Sequence, residues 1–442
     1  MKTFKKGGVH PPGYKLSAEV PVQVLPIPEM VVLPLLQHLG VPANPVVAKG
    51  DIVKTGQLIA KGEAFISANV HATVSGTVLK IDDIIGVSGY PQKAIFIKSE
   101  GDTWLDSIDR SPDLKRECDL TPAEIIRRVN EMGVVGMGGA TFPSHVKLSI
   151  PKGKTAEYLL INGSECEPFL TADHRLIIER AEEMLVGIEI MMKATGVKRA
   201  IIGIENNKPD AIAKLRELSP TFQGISVETL KEKYPQGSEK HLIKALVNRE
   251  VPSGKLPIEV GCVVFNSGTA LAIYEAVQKN KPLIDRIFTV TGKSLKEPAN
   301  LLARIGTPIS DIIKAVGGLP DDTGKVVKGG PMMGKALTSL DAPLIKGSSG
   351  ILIISQKDSG RKATLNCIRC AHCVKKCPMG LEPYLLAVLA EKKRFEECER
   401  EKVMNCIECG SCLYICPSGR PLLDQIRVGK SNVGKMIRMR QK

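Results

Sequence analysis

The sequence predicts a multidomain protein that combines α/β and α+β units. Its 442 residues correspond to about three domains of roughly 150 residues each. Between residues 116 and 283, apolar runs of strand length alternate with helical stretches, whereas the first 115 residues are rich in short strands and turns. Nine of the 12 cysteines lie between residues 367 and 416, so the C-terminal fifth has a composition of its own.

The first predicted domain covers residues 1–115. Its stretches 46–57 and 70–78 place glycines between short apolar runs, and they resemble the barrel-sandwich fold of biotinyl and lipoyl carriers. Such a carrier needs a lysine in the turn at 63–67, where this sequence has none. We therefore expect a barrel-sandwich hybrid with a docking role instead of a swinging arm. His71 is expected to be a structural or surface histidine, not a metal ligand.

The second predicted domain, residues 116–283, is a Rossmann-like α/β unit. Thr121 and Glu124 form a capping box for a helix that stops near Gly133. Strands are predicted at 157–162, 199–205, 225–230 and 260–265, and helices at about 173–195, 208–218, 238–249 and 268–279. This alternation indicates a mostly parallel sheet with helices on both faces.

Four polar or glycine-rich junctions lie next to these strands, at 133–147, 162–168, 234–239 and 265–269. Ligands of open α/β sheets bind outside the carboxyl ends of the strands, so converging junctions indicate a cofactor cleft. Backbone N–H groups of the glycine cluster can approach a phosphate or a flat ring, and Lys147 can add a charge. The spacing is not G-x-G-x-x-G, however, and the glycines alone are equally compatible with a tight structural loop.

The predicted domain at 357–426 contains two copies of the pattern C-x2-C-x2-C-x3-C-P, 39 residues apart. In two-cluster ferredoxins the first three cysteines of each pattern bind one cluster and the fourth binds the other. The sequence therefore predicts two [4Fe–4S] clusters, one held by Cys367, Cys370, Cys373 and Cys416 and the other by Cys406, Cys409, Cys412 and Cys377. A zinc site or a redox-active C-x-x-C pair would leave cysteines of each pattern without a role.

The remaining C-terminal segments are predicted to be helix and tail. Residues 381–395 have apolar positions at helical spacing and predict a helix that links the two patterns. Cys398 is expected on a helix surface. Residues 427–442 form a basic tail, which is either a solvated terminus or a segment attracted to an anionic partner or a lipid surface.

The charge distribution argues against nucleic acid as a partner. The net charge is +14, and residues 361–442 contribute 17 Lys+Arg against 8 Asp+Glu. A basic excess can indicate nucleic-acid binding, but aromatic residues are only 4% and the excess surrounds eight predicted thiolate ligands. No run approaches the ~18 apolar residues of a membrane-spanning helix, and the first residues lack the apolar core of a secretory signal. We therefore expect a chain of the reducing cytoplasm that does not cross a membrane.

Several of these motifs resemble known families. Residues 136–147 and 162–168 resemble the flavin-binding subunit of respiratory complex I, which binds FMN and NADH. The whole chain is similar to the C-subunit family of the Rnf complexes, the membrane-bound ferredoxin:NAD oxidoreductases. That similarity rests on 7–12, 133–147, 162–168 followed by 171–175, 234–240 and the paired cysteine patterns. Met137 and Ser164 stand where the complex I family has Arg and Asp.

The resemblance implies roles for eleven residues. Gly136, Gly138, Gly139 and Lys147 would cradle the FMN phosphate and ring, Asn162, Glu165 and Glu167 would line the flavin and nicotinamide pocket, and Gly237, Glu239, Asn266 and Thr269 would complete its walls. Glu165 and Glu167 are the expected catalytic residues. The resemblance also implies a β-grasp domain at 284–356, with a helix near 308–316, that acts as a spacer more than as a ligand site.

The expected function is that of a peripheral subunit on the cytoplasmic side of the cell membrane. It would exchange hydride between NAD(H) and FMN and relay single electrons through two [4Fe–4S] clusters to or from the membrane and ferredoxin-type subunits of an Rnf complex. The whole complex, not this chain, would couple the electron flow to ion translocation. Two alternatives are a soluble flavin and iron–sulfur oxidoreductase similar to cobalamin reductase, and a flavin-free electron relay or scaffold.

Overall fold

The computed structural model describes residues 1–86, 89–361 and 363–440 of the chain. Two small antiparallel sheets make up the N-terminal region. The strands of this region are β1 (Val22–Val24), β2 (Met30–Pro34), β3 (Asn44–Pro45), β4 (Ile52–Val53), β5 (Leu58–Lys61), β6 (Val70–His71), β7 (Gly76–Ile85) and β8 (Pro91–Ser99). The orders β2-β8-β7-β4 and β3-β5-β6 define the two sheets. Val31, Ile59, Val78 and Ile95 are fully buried in their shared core.

His71 lies in the interior of this region, at the end of β6 and near Lys346. Burial is the main reason that its pKa falls from 6.5 to about 3. Below pH 6.5 the unfolded chain therefore binds a proton at His71 that the folded chain does not bind. The free energy of unfolding consequently decreases as the pH is lowered from 6.5 to about 3.

We expect His71→Gln to reduce the acid sensitivity of folding. At 1.36 kcal/mol per pKa unit, lowering the pH from 7 to 5 costs roughly 2 kcal/mol through this histidine. Urea unfolding of both proteins at pH 7 and pH 5 measures the difference. An equal loss of stability in the variant would show that His71 takes up its proton without unfolding.

The central region is a parallel sheet covered by helices. Its elements are α1 (Pro122–Glu131), α2 (Ser144–Leu148), β9 (Tyr158–Asn162), α3 (Ala172–Glu179), α4 (Ala181–Thr195), β10 (Ala200–Glu205), α5 (Pro209–Leu218), β11 (Ile225–Leu230), α6 (Glu239–Val247), β12 (Cys262–Asn266) and α7 (Ser267–Gln278), with 3-10 turns at Ser219–Thr221 and Pro257–Val260. The strand order is β11-β10-β9-β12, and every pairing is parallel. The Thr121 capping box is present as predicted.

One predicted helix of the central region is divided. The segment 173–195 forms α3 and α4, because the backbone of Arg180 leaves helical geometry with φ −131° and ψ 33°. The guanidinium of Arg180 pairs with Glu183 in the same helix and, at 3.3 Å, with Glu275 of α7. Charge pairing across the helix layer therefore accompanies the break.

The third region has a six-stranded sheet. Its elements are β13 (Asp285–Thr291), β14 (Ala299–Arg304), α8 (Ile309–Ala315), β15 (Thr323–Lys328), β16 (Lys335–Ala336) and β17 (Gly350–Ser355), followed by α9 (Gln356–Ser359). The order is β1-β14-β13-β17-β15-β16. Strand β1 comes from the first 115 residues and pairs in parallel with β14, so this sheet joins two predicted domains.

The C-terminal region is helical, with α10 (His372–Lys376), α11 (Pro383–Glu391), α12 (Phe395–Arg400), a 3-10 turn at Val403–Asn405, α13 (Ser411–Tyr414) and α14 (Leu422–Arg440). Helices α11 and α14 pack closely, since a Cβ added at Gly429 would lie 3.0 Å from the Cβ of Ala390. The expectation that Cys398 lies on a surface is wrong. Cys398 is fully buried because α12 packs against α14, with its sulfur beside Gly429.

The basic segment after residue 426 is not a separate tail in the described residues. Residues 427–440 continue α14, and Gly429, Val433 and Gly434 are buried against the other helices. Helical spacing of these small and apolar residues explains the packing, while Lys and Arg occupy the other faces. Residues 441 and 442 lie outside the described part of the chain.

The N-terminal strap, residues 2–15, connects the central and C-terminal regions. Lys2 bridges to Leu230 at the end of β11, and Val9 exchanges backbone hydrogen bonds with Tyr234. The N–H of Gly8 donates to the carbonyl of Lys376 at 3.0 Å. The strap therefore fixes the cysteine-rich helices against the carboxyl edge of the central sheet. Across residues 1–86, 89–361 and 363–440, no helix combines the length and the apolar character that spanning a bilayer requires.

Candidate functional site

The glycine-rich loop before β9 lies against the start of α7. The N–H of Met137 donates to Oγ1 of Thr269 at 2.9 Å, and a Cβ added at Gly138 would lie 3.3 Å from the Cβ of Asn266. Gly139 has a φ of +106°, which residues with a side chain rarely adopt. A Cβ added there would meet no atom within 4 Å. Gly136 closes the turn, donating to the carbonyl of Phe142 at 2.8 Å. The backbone of the loop therefore lies close to α7 at Met137 and Gly138 and borders open space at Gly139.

The loop after β9 contacts the loop before α6. Asn162 Nδ2 donates to the carbonyl of Gly237 at 3.0 Å, and its Oδ1 accepts from the N–H of Ser164 at 3.0 Å. A Cβ added at Gly237 would lie 3.0 Å from Asn162 Nδ2. Only glycine at 237 allows this close approach, so two of the predicted walls form one surface.

A charged pair connects the glycine-rich segment to α6. Lys147 Nζ lies 2.8 Å from Glu239 Oε1, and 5.3 Å from the centre of the Phe265 ring. Both charged side chains are partly exposed. The structure therefore brings the predicted phosphate-binding lysine and the predicted wall carboxylate together.

Glu165 is held in a strained backbone conformation above α3. Its φ is +44°, and its carboxylate accepts from the N–H groups of Asp173 at 2.9 Å and His174 at 3.2 Å. Asp173 in turn accepts from Asn266 Nδ2 at 2.6 Å. Burial, together with the Glu165 carboxylate, raises the pKa of Asp173 well above its usual range. Asp173 was not among the predicted site residues, because nothing in its local sequence indicates that it meets Asn266.

Glu167 faces the third region. Its carboxylate accepts from the N–H groups of Met332 at 3.1 Å and Met333 at 2.8 Å. A Cβ added at Gly330 would lie 2.3 Å from Glu167 Oε2, so this loop needs glycine. Burial raises the pKa of Glu167 to about 7. Of the two predicted catalytic residues, Glu167 is therefore the one whose carboxylate is hydrogen-bonded to the loop after β15.

Four cysteines surround one cavity in the C-terminal region. The cavity is lined by Cys377, Cys406, Cys409, Cys412 and apolar residues that include Leu381, Leu386 and Ile426. The fourth cysteine of the first pattern thus lies with the first three of the second. Burial raises the pKa of the Cys406 thiol to about 11, whereas bound iron would favour the thiolate. In the described part of the chain, no three or more His, Cys, Asp or Glu are placed to bind a single metal ion.

The other four cysteines lie nearer the surface. Cys367 is exposed, Cys370 and Cys416 are partly buried, and Cys373 is buried. Burial raises the pKa of Cys373, and the nearby Cys416 adds to the rise. Both patterns also share a backbone shape: Arg369 and Ala371 of the first, and Glu408 and Gly410 of the second, all have φ between 55° and 77°. The apolar cavity fits an iron–sulfur cluster at Cys377, Cys406, Cys409 and Cys412, and the repeated loop shape is compatible with a second cluster at the other four cysteines.

The inner cysteine set, which is Cys377, Cys406, Cys409 and Cys412, contacts the central region directly. The hydroxyl of Tyr234 donates to the carbonyl of Cys409 at 2.8 Å, and Tyr234 lies in the loop that leads to Gly237. A Cβ added at Gly7 of the strap would lie 2.6 Å from the carbonyl carbon of Cys377. Tyr234 and the strap therefore join the inner cysteine set to the loop that leads to Gly237.

Four family models match consecutive parts of the chain. They are described as the RnfC barrel sandwich hybrid domain (residues 2–102), the Nuo51 FMN-binding domain (129–275), the SLBB domain (287–336) and the 4Fe-4S dicluster domain (360–417). The second match contains all eleven predicted cofactor residues and the fourth contains all eight predicted cysteine ligands.

Relatives match over most of the chain. The C-subunit of the proton-translocating ferredoxin:NAD(+) oxidoreductase complex of Clostridium ljungdahlii is 46% identical over 91% of this chain and 87% of its own length. The chain belongs to this C-subunit family. The C-subunit of the Na(+)-translocating complex of Acetobacterium woodii is 43% identical over 98% of this chain and 97% of its own. The C-subunit of the ion-translocating oxidoreductase complex of Rhodobacter capsulatus is 42% identical over 86% of this chain and 74% of its own.

The fold also occurs in a solved oxidoreductase. A chain of an NAD+-reducing [NiFe]-hydrogenase in the H2-reduced state aligns with a TM-score of 0.51 and 18% identity, covering 71% of this chain and 63% of its own length. Membership of the C-subunit family confirms the resemblance drawn from the motifs, and the family models confirm a multidomain chain with FMN-binding and iron–sulfur domain types.

Proposed function

We propose that this chain exchanges hydride between NAD(H) and FMN and relays single electrons through two [4Fe–4S] clusters to or from the other subunits of an Rnf complex. When bound, FMN converts a two-electron hydride into single electrons, and each cluster carries one electron at a time. The complex as a whole would couple this flow to ion translocation. Glu165 and Glu167 are the proposed catalytic carboxylates.

The observation that carries this proposal is the short link between the cleft and the inner cysteine cavity. Tyr234 is 2% exposed, belongs to the loop that forms one cleft wall, and donates to the Cys409 carbonyl. Electron transfer between two cofactors is favoured when they are held close together, and the buried hydrogen bond of Tyr234 holds the cleft wall against the inner cysteine set. Two unrelated sites would not need this contact.

The proposed flavin site uses the residues that converge at the carboxyl edge of the sheet. Gly136, Gly138 and Gly139 would cradle the phosphate and ring, with Gly136 closing the turn, Gly138 and Gly139 presenting backbone N–H groups, and Lys147 supplying a positive charge. Asn162, Glu165 and Glu167 would line the pocket on one side, and Gly237, Glu239, Asn266 and Thr269 would complete the walls. The open space beside Gly139 and the contact of Gly138 with Asn266 support this assignment.

The two proposed clusters would act in a fixed order. The set Cys377, Cys406, Cys409 and Cys412 contacts the central region through Tyr234 and the strap, so its cluster would exchange electrons with the flavin. The set Cys367, Cys370, Cys373 and Cys416 includes an exposed cysteine, so its cluster would exchange electrons with a partner protein of the complex. The protein surface at this second set would then be the docking face.

The finer fold assignments are also part of the proposal. We propose domain limits at 115/116, 283/284 and 356/357, with a Rossmann-like second domain, a β-grasp third domain and a two-cluster ferredoxin-like fourth domain. Strand β1 pairs across the first two limits and α14 crosses the predicted limit at 426/427. The chain would lie peripherally at the cytoplasmic face of the cell membrane, in contact with membrane and ferredoxin-type subunits, and would have no nucleic-acid partner.

Anaerobic purification of the full chain tests the proposal. We expect about eight iron atoms, from two clusters of four, and one FMN per chain. NADH should bleach the flavin absorbance first, and the clusters should then give paramagnetic signals. Eight iron atoms without FMN would overturn the hydride exchange and leave an electron relay, and FMN that NADH does not reduce would remove NAD(H) as the substrate.

A further inference from the structure

Two buried lysines lie beneath the loop that follows β9. Lys15, from the strap, donates its Nζ to the carbonyls of Glu165 at 2.8 Å, Glu167 at 3.0 Å and Leu170 at 2.6 Å. Lys208, after β10, donates to the carbonyl of Ser164 at 2.6 Å. Four carbonyls of one short loop are therefore turned toward two ammonium groups, an arrangement that the proposed chemistry of the cleft does not itself use.

A single carboxylate partly balances this charge. Glu205, the last residue of β10, is 1% exposed, and its Oε2 lies 3.9 Å from Lys208 Nζ while its Oε1 accepts from the N–H of Lys233 at 3.3 Å. Lys15 and Glu205 both line one cavity, and Glu232 is also among its lining residues. Burying a charge costs free energy unless the charge is paired and hydrogen-bonded. The two buried lysines are therefore stabilised by the loop carbonyls and by Glu205.

The lysines determine which way the loop's N–H groups point. Because a trans peptide is planar, the N–H after each captured carbonyl points away from the lysine. The captured carbonyls of Ser164 and Glu165 thus turn the N–H groups of Glu165 and Cys166 to the opposite side of the loop. Among the described residues these two N–H groups have no hydrogen-bond partner. Successive N–H groups around a left-handed residue such as Glu165, with φ +44°, form a concavity that binds negative charge.

We propose that Lys15 and Lys208 are positioning residues that present the N–H groups of Glu165 and Cys166 to the bound flavin and favour its reduced, more negative form. This inference rests on the proposed function, since it assumes that FMN occupies the cleft. The strap then has a role in the redox chemistry besides joining two regions, because it supplies Lys15. Burial lowers the pKa of Lys15 to about 8 and raises that of Glu205 to about 7, so Lys15 is still mainly charged at pH 7.

The test measures the midpoint potential of the flavin in the full chain with its iron bound. It compares one variant that loses a positive charge with one that loses a negative charge. Lys15→Met removes a positive charge and keeps the length of the stem, so the reduced flavin should bind at least about tenfold more weakly relative to the oxidised flavin. For a two-electron couple this is a shift of about 30 mV to more negative potential. Glu205→Gln removes the opposing negative charge and should shift the potential the other way.

Lys233→Met is the matched control. Lys233 lines the same cavity, but its Nζ binds the carbonyl of Phe4 at 3.0 Å instead of the loop, so its removal should leave the potential close to that of the parent chain. Lys15→Arg keeps the charge and should restore most of the shift. Damage to the fold would move the Lys15 and Glu205 variants in the same direction and lower their iron content.

The outcomes separate the two proposals. Opposite shifts for Lys15→Met and Glu205→Gln, with unchanged iron content, support the positioning role. If the parent chain binds FMN but the variants have its potential, or shift it in one common direction, the lysine inference alone is overturned. A parent chain that binds no FMN overturns the proposed function and, with it, this inference.

Discussion

Replacing Cys377 by serine is expected to remove the cluster of Cys406, Cys409 and Cys412, which belong to the other pattern. The sulfur of Cys377 lines the same cavity as those three cysteines, while its sequence neighbours Cys367, Cys370 and Cys373 form the other set. Serine is a poor ligand for iron compared with a thiolate, because soft ligands suit iron–sulfur clusters. Iron content should fall from about eight to about four atoms per chain.

Double variants identify which cluster is lost. Adding Cys412→Ser to Cys377→Ser should remove no further iron, since both residues serve one cluster. Adding Cys373→Ser to Cys377→Ser should remove nearly all of it. If Cys377 instead belonged with its own pattern, the two double variants would exchange these results, and the proposed ligand sets would be wrong.

Cys398→Ser supplies the matched control for these variants. Cys398 is buried in the same helical region but does not line the cavity of the inner cysteine set, since it lies on α12 and faces α14. We expect a full complement of iron and a small loss of stability, of about 1 kcal/mol, from placing a hydroxyl in an apolar site. Flavin content should remain that of the parent chain in all of these variants, because the cleft residues belong to the central region.

The cysteine sets could be predicted from sequence because the ligands of an iron–sulfur cluster follow a short, fixed spacing. Three cysteines at fixed short spacing must wrap one cluster, and the fourth is placed by the proline-terminated turn that follows. The parallel strands could be predicted equally well, since a buried strand such as Cys262–Asn266 is a short, mostly apolar run. Both signals lie within a few residues of sequence.

Features that depend on distant contacts were not predictable in the same way. Strand β1 joins the sheet of the third region, far along the chain, because β14 offers an edge for Val22–Val24. Cys398, Gly429, Val433 and Gly434 lie in segments rich in charged residues, and only the packing of α11, α12 and α14 against one another buries them. Lys15 and Lys208 resemble ordinary surface lysines until the loop carbonyls are placed around them.

Gly138→Val is expected to lower FMN content, and NADH-dependent flavin reduction with it, while leaving the iron content unchanged. A Cβ at this position would lie 3.3 Å from the Cβ of Asn266, and the two methyl groups of valine would extend further into that contact or into the cleft. Asn266 cannot easily give way, because its Oδ1 accepts from the N–H of Gly268 and its Nδ2 donates to Asp173. Overpacking of this kind costs about 1–3 kcal/mol, which weakens FMN binding roughly 5- to 150-fold if the strain falls on the site.

Gly360→Val distinguishes a site effect from a general effect of valine. Gly360 has ordinary backbone angles, with φ −68°, and a Cβ there would meet no atom within 4 Å. This control should retain FMN and its reduction by NADH. FMN content measured after gel filtration, with iron counted in the same sample, separates the two effects. Normal flavin reduction in Gly138→Val would show that the glycine-rich loop does not approach the flavin, and loss of iron as well would show that the substitution disturbs folding instead of the cleft.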